Sequence, residues 1–120
     1  MNNILGTPLE DCCTENHTGF FRNGRCDCSQ QDPGKHTVCA VMDEFFLSFS
    51  QSRGNDLSTP RPELNFPGLK PGDKWCICMN RWLEALEAGL APKIYPRSCH
   101  ESMLEAVELE VLLQYAISDG

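Results

Sequence analysis

Eight cysteines stand in 120 residues, and their spacing is uneven. Cys26/Cys28 and Cys76/Cys78 form two C-x-C pairs, Cys12 and Cys13 are adjacent, and Cys39 and Cys99 stand alone. Thiols serve as disulfide halves, metal ligands or reactive nucleophiles, and each use demands different surroundings. For a metal, Cys26, Cys28, Cys76 and Cys78 would supply four thiolates to a tetrahedral zinc, with His36 or His100 able to replace one. Iron is the other cofactor that suits such a donor set. The C-x-C bite is tighter than the spacing of common zinc sites, and free cysteine is equally at home in a core. For nucleophilic or redox chemistry, Cys39 lies three residues past His36, with Asp32 close by. That trio offers a thiol, a base and an orienting carboxylate. On a strand, however, His36 and Cys39 fall on opposite faces, which favours core packing for Cys39.

Two further groups are open to chemistry. Asp56, Ser58, Thr59 and Arg61 could hold an anionic ligand, or the short polar side chains tie down their own loop. His100 opens the last helical segment, where it caps the helix or, as a neutral imidazole, acts as a ligand. No phosphate-binding glycine loop or G-x-S-x-G elbow is present.

The elements that position these residues can be read from pattern. Leu5–Leu9 is a short extended piece ending in a turn. Thr18–Arg22 reads as a strand running into the hairpin signal Asn23-Gly24, and Asp32-Pro33-Gly34 is a second turn. His36 to Met42 is an apolar, β-branched run suited to a buried strand. Asp43 then caps a helix whose stripe is Phe45, Phe46, Leu47 and Phe49, stopped at Gly54. Trp75 to Met79 is a second buried run. Asn80 caps a helix carrying Trp82, Leu83 and Leu86, and Gly89 and Pro92 end it. If Cys76 and Cys78 share a strand they share a face; on a helix they point about 200° apart. Between the two units, residues 54–73 hold four of the eight prolines, with Leu57, Leu64, Phe66 and Leu69 spaced to pin the loop to the body. Ser98 and Glu101 have capping-box spacing, and a helical stripe follows with a break near Val107 to Leu109.

The length fits one compact domain with one core, and charged residues at 22% are ordinary. A formal charge of −7 disfavours nucleic acid and acidic membrane surfaces. No stretch approaches the ~20 apolar residues of a membrane span. The opening Met1–Gly6 has neither the basic start nor the apolar run of a secretory signal, so a cytoplasmic setting with reduced thiols is the expectation.

Several runs resemble one family: Leu5-Gly6-Thr7-Pro8-Leu9, Thr18-Gly19-Phe20, His36 to Met42, Gly54 to Pro60 and Phe66 to Asp73. Trp75-Cys76, Arg81-Trp82, Ala91-Pro92 and His100 add to the likeness. The chain is similar, over nearly its whole length, to the domain of unknown function 2237 family of bacteria and some plastid-bearing organisms. The resemblance implies a single small domain and brings no activity with it. It also implies that cysteine is usual at the positions of Cys12, Cys26, Cys39, Cys76 and Cys78, and that Thr is commoner at those of Cys28 and Cys99. A metal site shared by the family would then draw on Cys26, Cys39, Cys76, Cys78, His36 or His100.

These readings give an α+β single domain over residues 1–120, with a short mixed sheet, about three helices and a long ordered Pro-rich loop. The functional expectation is a thiol-based metal-binding or redox protein, with Cys39, His36 and Asp32 as catalytic candidates and Cys26, Cys76, Cys78, His36 and His100 as metal candidates. The alternative is a module that binds a small ligand or a protein through the 54–73 loop, with Asp56, Ser58, Thr59 and Arg61 in contact and the cysteines structural.

Overall fold

A computed structural model describes residues 2–12, 18, 24–26, 35–64, 66 and 68–117. Its centre is a two-stranded antiparallel ribbon of β1 (Val38–Val41) and β2 (Lys74–Ile77). The register pairs Val38 with Ile77, Cys39 with Cys76, Ala40 with Trp75 and Val41 with Lys74. Three helices complete the α+β architecture: α1 (Glu44–Ser52), α2 (Met79–Glu87) and α3 (Leu109–Gln114). Short 3-10 turns lie at Pro62–Leu64, Pro96–Ser98 and Glu101–Glu105. Each strand runs directly into a helix, so two strand–helix units meet antiparallel along β1 and β2.

The outer flank of β1 is also occupied. Tyr95 N donates to Cys39 O at 3.0 Å and Val41 N donates to Lys93 O at 2.8 Å. Ile94 adds isolated bridges to Ala40 in the antiparallel sense and to Ala116 in the parallel sense, whereas the sheet itself is purely antiparallel and not the mixed one expected. β1 is therefore an interior strand, as its Val-Cys-Ala-Val composition and near-complete burial require.

Local signals account for the helix boundaries. Asp43 has extended backbone angles and its Oδ1 accepts from Phe46 N at 2.7 Å, which satisfies one of the free amides of α1. Helix α1 turns Phe46, Leu47 and Ser50 inward, while Phe45, expected in the buried stripe, is 71% exposed. Helix α2 begins one residue before the expected cap. Cys78 takes the N-cap position without a side-chain hydrogen bond, and Met79 N donates to Lys35 O at 3.0 Å. That tertiary contact stands in for the cap that Asn80 was expected to provide.

The core is continuous, with Trp82, Phe46, Ile4, Met42 and Ile77 among its largest fully buried side chains. Trp82 Nε1 donates to Pro92 O at 3.2 Å, and its ring meets Tyr115 edge-on at 5.5 Å. The Pro-rich loop is tied down as expected. Leu69 N donates to Leu57 O at 2.8 Å, Arg61 pairs with Phe66, and Phe66 packs edge-on against Trp75. Gly68 has a φ of +81°, and a Cβ there would lie 2.5 Å from Ser58 O. Only glycine permits both that conformation and that approach. The expected strand Thr18–Arg22 and the turn at Asp32 lie outside the described residues apart from Thr18, whose carbonyl oxygen accepts from Gly24 N at 2.9 Å.

Candidate functional site

In an antiparallel pair, opposed residues alternate between those that exchange hydrogen bonds with each other and those whose backbone groups point away. Cys39 and Cys76 are of the second kind. Cys39 O accepts from Tyr95 N, and Cys76 N donates to Thr18 Oγ1 at 2.6 Å, both outside the ribbon. Such pairs bring their side chains closest together. One face of the ribbon thus presents two adjacent sulfurs, while Val38, Ala40, Trp75 and Ile77 occupy the other face.

The N-terminal region supplies two more sulfurs to that face. Cys12 is disulfide-bonded to Cys39 across a Cα separation of 5.6 Å, and Cys26 to Cys76 across 5.3 Å. Cys12 N donates to Gly24 O at 2.7 Å, which holds the two contributing segments side by side. The sulfurs of Cys12, Cys26 and Cys39 all lie within 4.8 Å of one another, and Cys76 is bonded to Cys26. All four residues are buried. The two bridges therefore form one sulfur cluster. Free thiols were the expectation from a cytoplasmic setting, but the ribbon register and the docking of the N-terminal segment place these four at bonding distance. Cysteine spacing along the chain has no part in it, since each bridge joins residues from different C-x-C or lone positions.

The other candidates are placed as follows. Cys78 is half-buried and not bonded, and it does not belong to the sulfur group. It lines a cleft of about 80 Å³ with His36, Asn55, Leu57, Trp75 and Arg81, so the structure brings His36 and Cys78 together, and the front of the long loop with them. Given a share of ~30 Å³ per water, this cleft suits two or three waters or a small ion. Arg81 is engaged with Arg53 O at 3.1 Å and Glu84 at 3.5 Å. His100 Nδ1 accepts from Ser102 N at 3.0 Å and so caps the 3-10 turn that follows. Asp56 accepts from Thr59 Oγ1 at 2.6 Å, Ser58 N at 2.9 Å and Thr59 N at 3.2 Å. The Thr59 hydroxyl, then the Ser58 amide, hold the Asp56 carboxyl below its ordinary value of 3.8. Asp56, Ser58 and Thr59 thus satisfy one another in the loop. Asp32, Cys13 and Cys28 lie outside the described residues.

Sequence reasoning gave Cys12 no chemical role, and its adjacency to Cys13 carries no pairing signal. A larger cleft of about 300 Å³ was likewise not foreseen. Glu10, Asp11, Lys74, Tyr95 and Arg97 line it, and Lys74 Nζ sits 4.4 Å from the centre of the Tyr95 ring. Asp11 precedes Cys12, and Lys74 shares a strand face with Cys76, although none of the four cysteines itself lines the cleft. Cys99 lies on the far side of β1: its thiol donates to Cys39 O at 3.7 Å, and burial pushes it up to about 12.

The fold and the cluster define a small α+β domain with an interior four-cysteine centre. The chain belongs to the family described as uncharacterized proteins conserved in bacteria, DUF2237, whose model matches residues 2–116. No curated protein matches it.

Proposed function

We propose that this is a thiol-based redox protein whose working group is the Cys12–Cys39 and Cys26–Cys76 pair of disulfides. The observation that carries the reading is the gathering of four buried cysteine sulfurs on one face of the β1–β2 ribbon. Reduction follows ordinary thiol–disulfide exchange. A dithiol reductant attacks one sulfur, forms a mixed disulfide and releases one cysteine thiol; its second thiol then displaces the other. Each bridge takes two electrons and two protons, and each equivalent of reductant leaves as a disulfide.

Burial slows this exchange, so the cleft along Asp11 and Lys74 is the approach, and movement of the N-terminal segment is the opening step. That segment is held by Ile4 N to Cys99 O, Glu10 N to Arg97 O and Glu101 N to Asn2 O. Breaking the bridges removes its disulfide ties to the ribbon and leaves hydrogen bonds, packing and the main chain itself. The reading is thus of a switch that couples thiol state to the docking of residues 2–12 and 24–26.

Peptide mapping of the full chain after oxidation and differential alkylation tests this. The expected result is linkage of Cys12 to Cys39 and of Cys26 to Cys76, reversed by a dithiol with a defined midpoint potential. Four thiols at these positions that stay free under oxidant would overturn it.

A further inference from the structure

We propose that the reduced cluster is a closed zinc site with Cys12, Cys26, Cys39 and Cys76 as its four ligands. The inference rests on the redox reading only in requiring that the bridges open. A tetrahedral zinc with Zn–S bonds of ~2.3 Å holds its sulfurs about 3.8 Å apart. The sulfurs of Cys12, Cys26 and Cys39 already lie within 4.8 Å of one another, and that of Cys76 is bonded to Cys26. Once the bridges open, bonded sulfurs separate, those of Cys12, Cys26 and Cys39 need close by no more than about 1 Å, and that of Cys76, which lies outside this 4.8 Å group, swings in from its place beside Cys26 by side-chain rotation.

The backbone is prepared for such a site. Cys39 and Cys76 are opposed on the ribbon with their side chains on one face. Cys12 N to Gly24 O fixes the two loop ligands beside each other. Ligands arriving from four separate places in the chain converge on one buried point, which is the form of a structural site with no open position. An all-thiolate donor set selects zinc or iron over magnesium or calcium. Among the described residues no histidine or carboxylate joins the group, so the site differs from one built on His36, His100 or Cys78.

The chemistry balances. Opening both bridges takes four electrons and four protons from two equivalents of a dithiol. Zinc binding then displaces four thiol protons. The N-terminal segment is held by two covalent bridges when oxidised and by the metal when reduced and zinc-loaded, so only the reduced, metal-free chain releases it.

The test uses the full chain, reduced without oxygen and titrated with zinc alone. Native mass spectrometry should show one zinc per chain. Alkylation under native conditions should spare Cys12, Cys26, Cys39 and Cys76 and modify Cys78. Cobalt in place of zinc should give the intense charge-transfer and visible bands of a tetrahedral thiolate site. Cys78→Ser should keep the metal, and Cys39→Ser should lose it. Because Cys39→Ser could also unfold the chain, the protection map and cobalt spectrum of the unaltered protein decide the matter. Absence of metal, or protection that includes Cys28 or Cys78, overturns the site. Correct disulfides with no metal would sink this inference and leave the redox reading standing. Metal binding without the two disulfides under oxidant would do the reverse.

Discussion

Replacing Cys26 by alanine removes the Cys26–Cys76 bridge, which spans 50 residues of sequence. In the chain-entropy relation a loop of that length contributes about 4 kcal/mol, and the 27-residue Cys12–Cys39 separation contributes about 3.6 kcal/mol. The bridges interleave along the chain, so removing both costs less than the sum. The thiol left at Cys76 behaves as a small apolar side chain and adds little penalty. A domain of this size has an unfolding entropy of roughly 250 cal/mol/K at its melting point, so 4 kcal/mol corresponds to a Tm about 15 °C lower. Against a typical total of 5–15 kcal/mol, that is a large share of the stability. Thermal unfolding of the oxidised protein and of Cys26→Ala, followed by circular dichroism without metal, measures the difference. A phosphine reductant should bring the unaltered protein down toward the variant and leave Cys26→Ala with only the smaller loss from Cys12–Cys39. The reasoning is refuted if the oxidised variant melts within about 3 °C of the parent while mass analysis confirms that the parent carries the bridge.

Three other outcomes follow from the same geometry. Gly68→Ala, with a φ of +81° and a Cβ 2.5 Å from Ser58 O, should cost about 1–3 kcal/mol and raise amide exchange at Leu69, whose N–H closes the loop on Leu57 O. Iodoacetamide at pH 8 should modify half-buried Cys78 and leave Cys99 untouched until the chain unfolds, because burial pushes the Cys99 thiol up to about 12; mass mapping over time reads this directly. Asp56 should titrate below its ordinary 3.8, because its carboxylate accepts from Thr59 and Ser58. Its folded value is depressed, so its contribution is complete above the unfolded value and is lost as pH falls through the lower folded one. NMR shifts of Ser58 and Thr59 should report that midpoint, and Asp56→Ala should abolish it.

Much of the framework was legible in the chain because it depends on neighbours in sequence. Asp43 before an apolar helical stripe reads as a cap, and it is one. The β-branched run before it reads as a buried strand, and it is one. The break near Val107 to Leu109 separates the 3-10 turn at Glu101–Glu105 from α3, as the pattern predicts. Phe45 and the start of α2 were harder. Which side of a nine-residue helix is covered depends on what packs there, and the cap of α2 is replaced by Lys35, which is remote in sequence.

The cysteines mark the division most sharply. By itself the sequence determined that the chain is rich in thiols, that Cys39 and Cys76 each stand in a buried apolar run, and that no familiar metal or disulfide spacing applies. The tertiary structure alone decided which of them meet. An antiparallel register sets Cys39 against Cys76, and docking of a segment 27 to 50 residues away in sequence brings Cys12 and Cys26 to them. The C-x-C spacing misleads because it describes distance along the chain. β2 ends at Ile77, so Cys76 faces the cluster, while Cys78 turns into the cap of α2 and lines a different cleft.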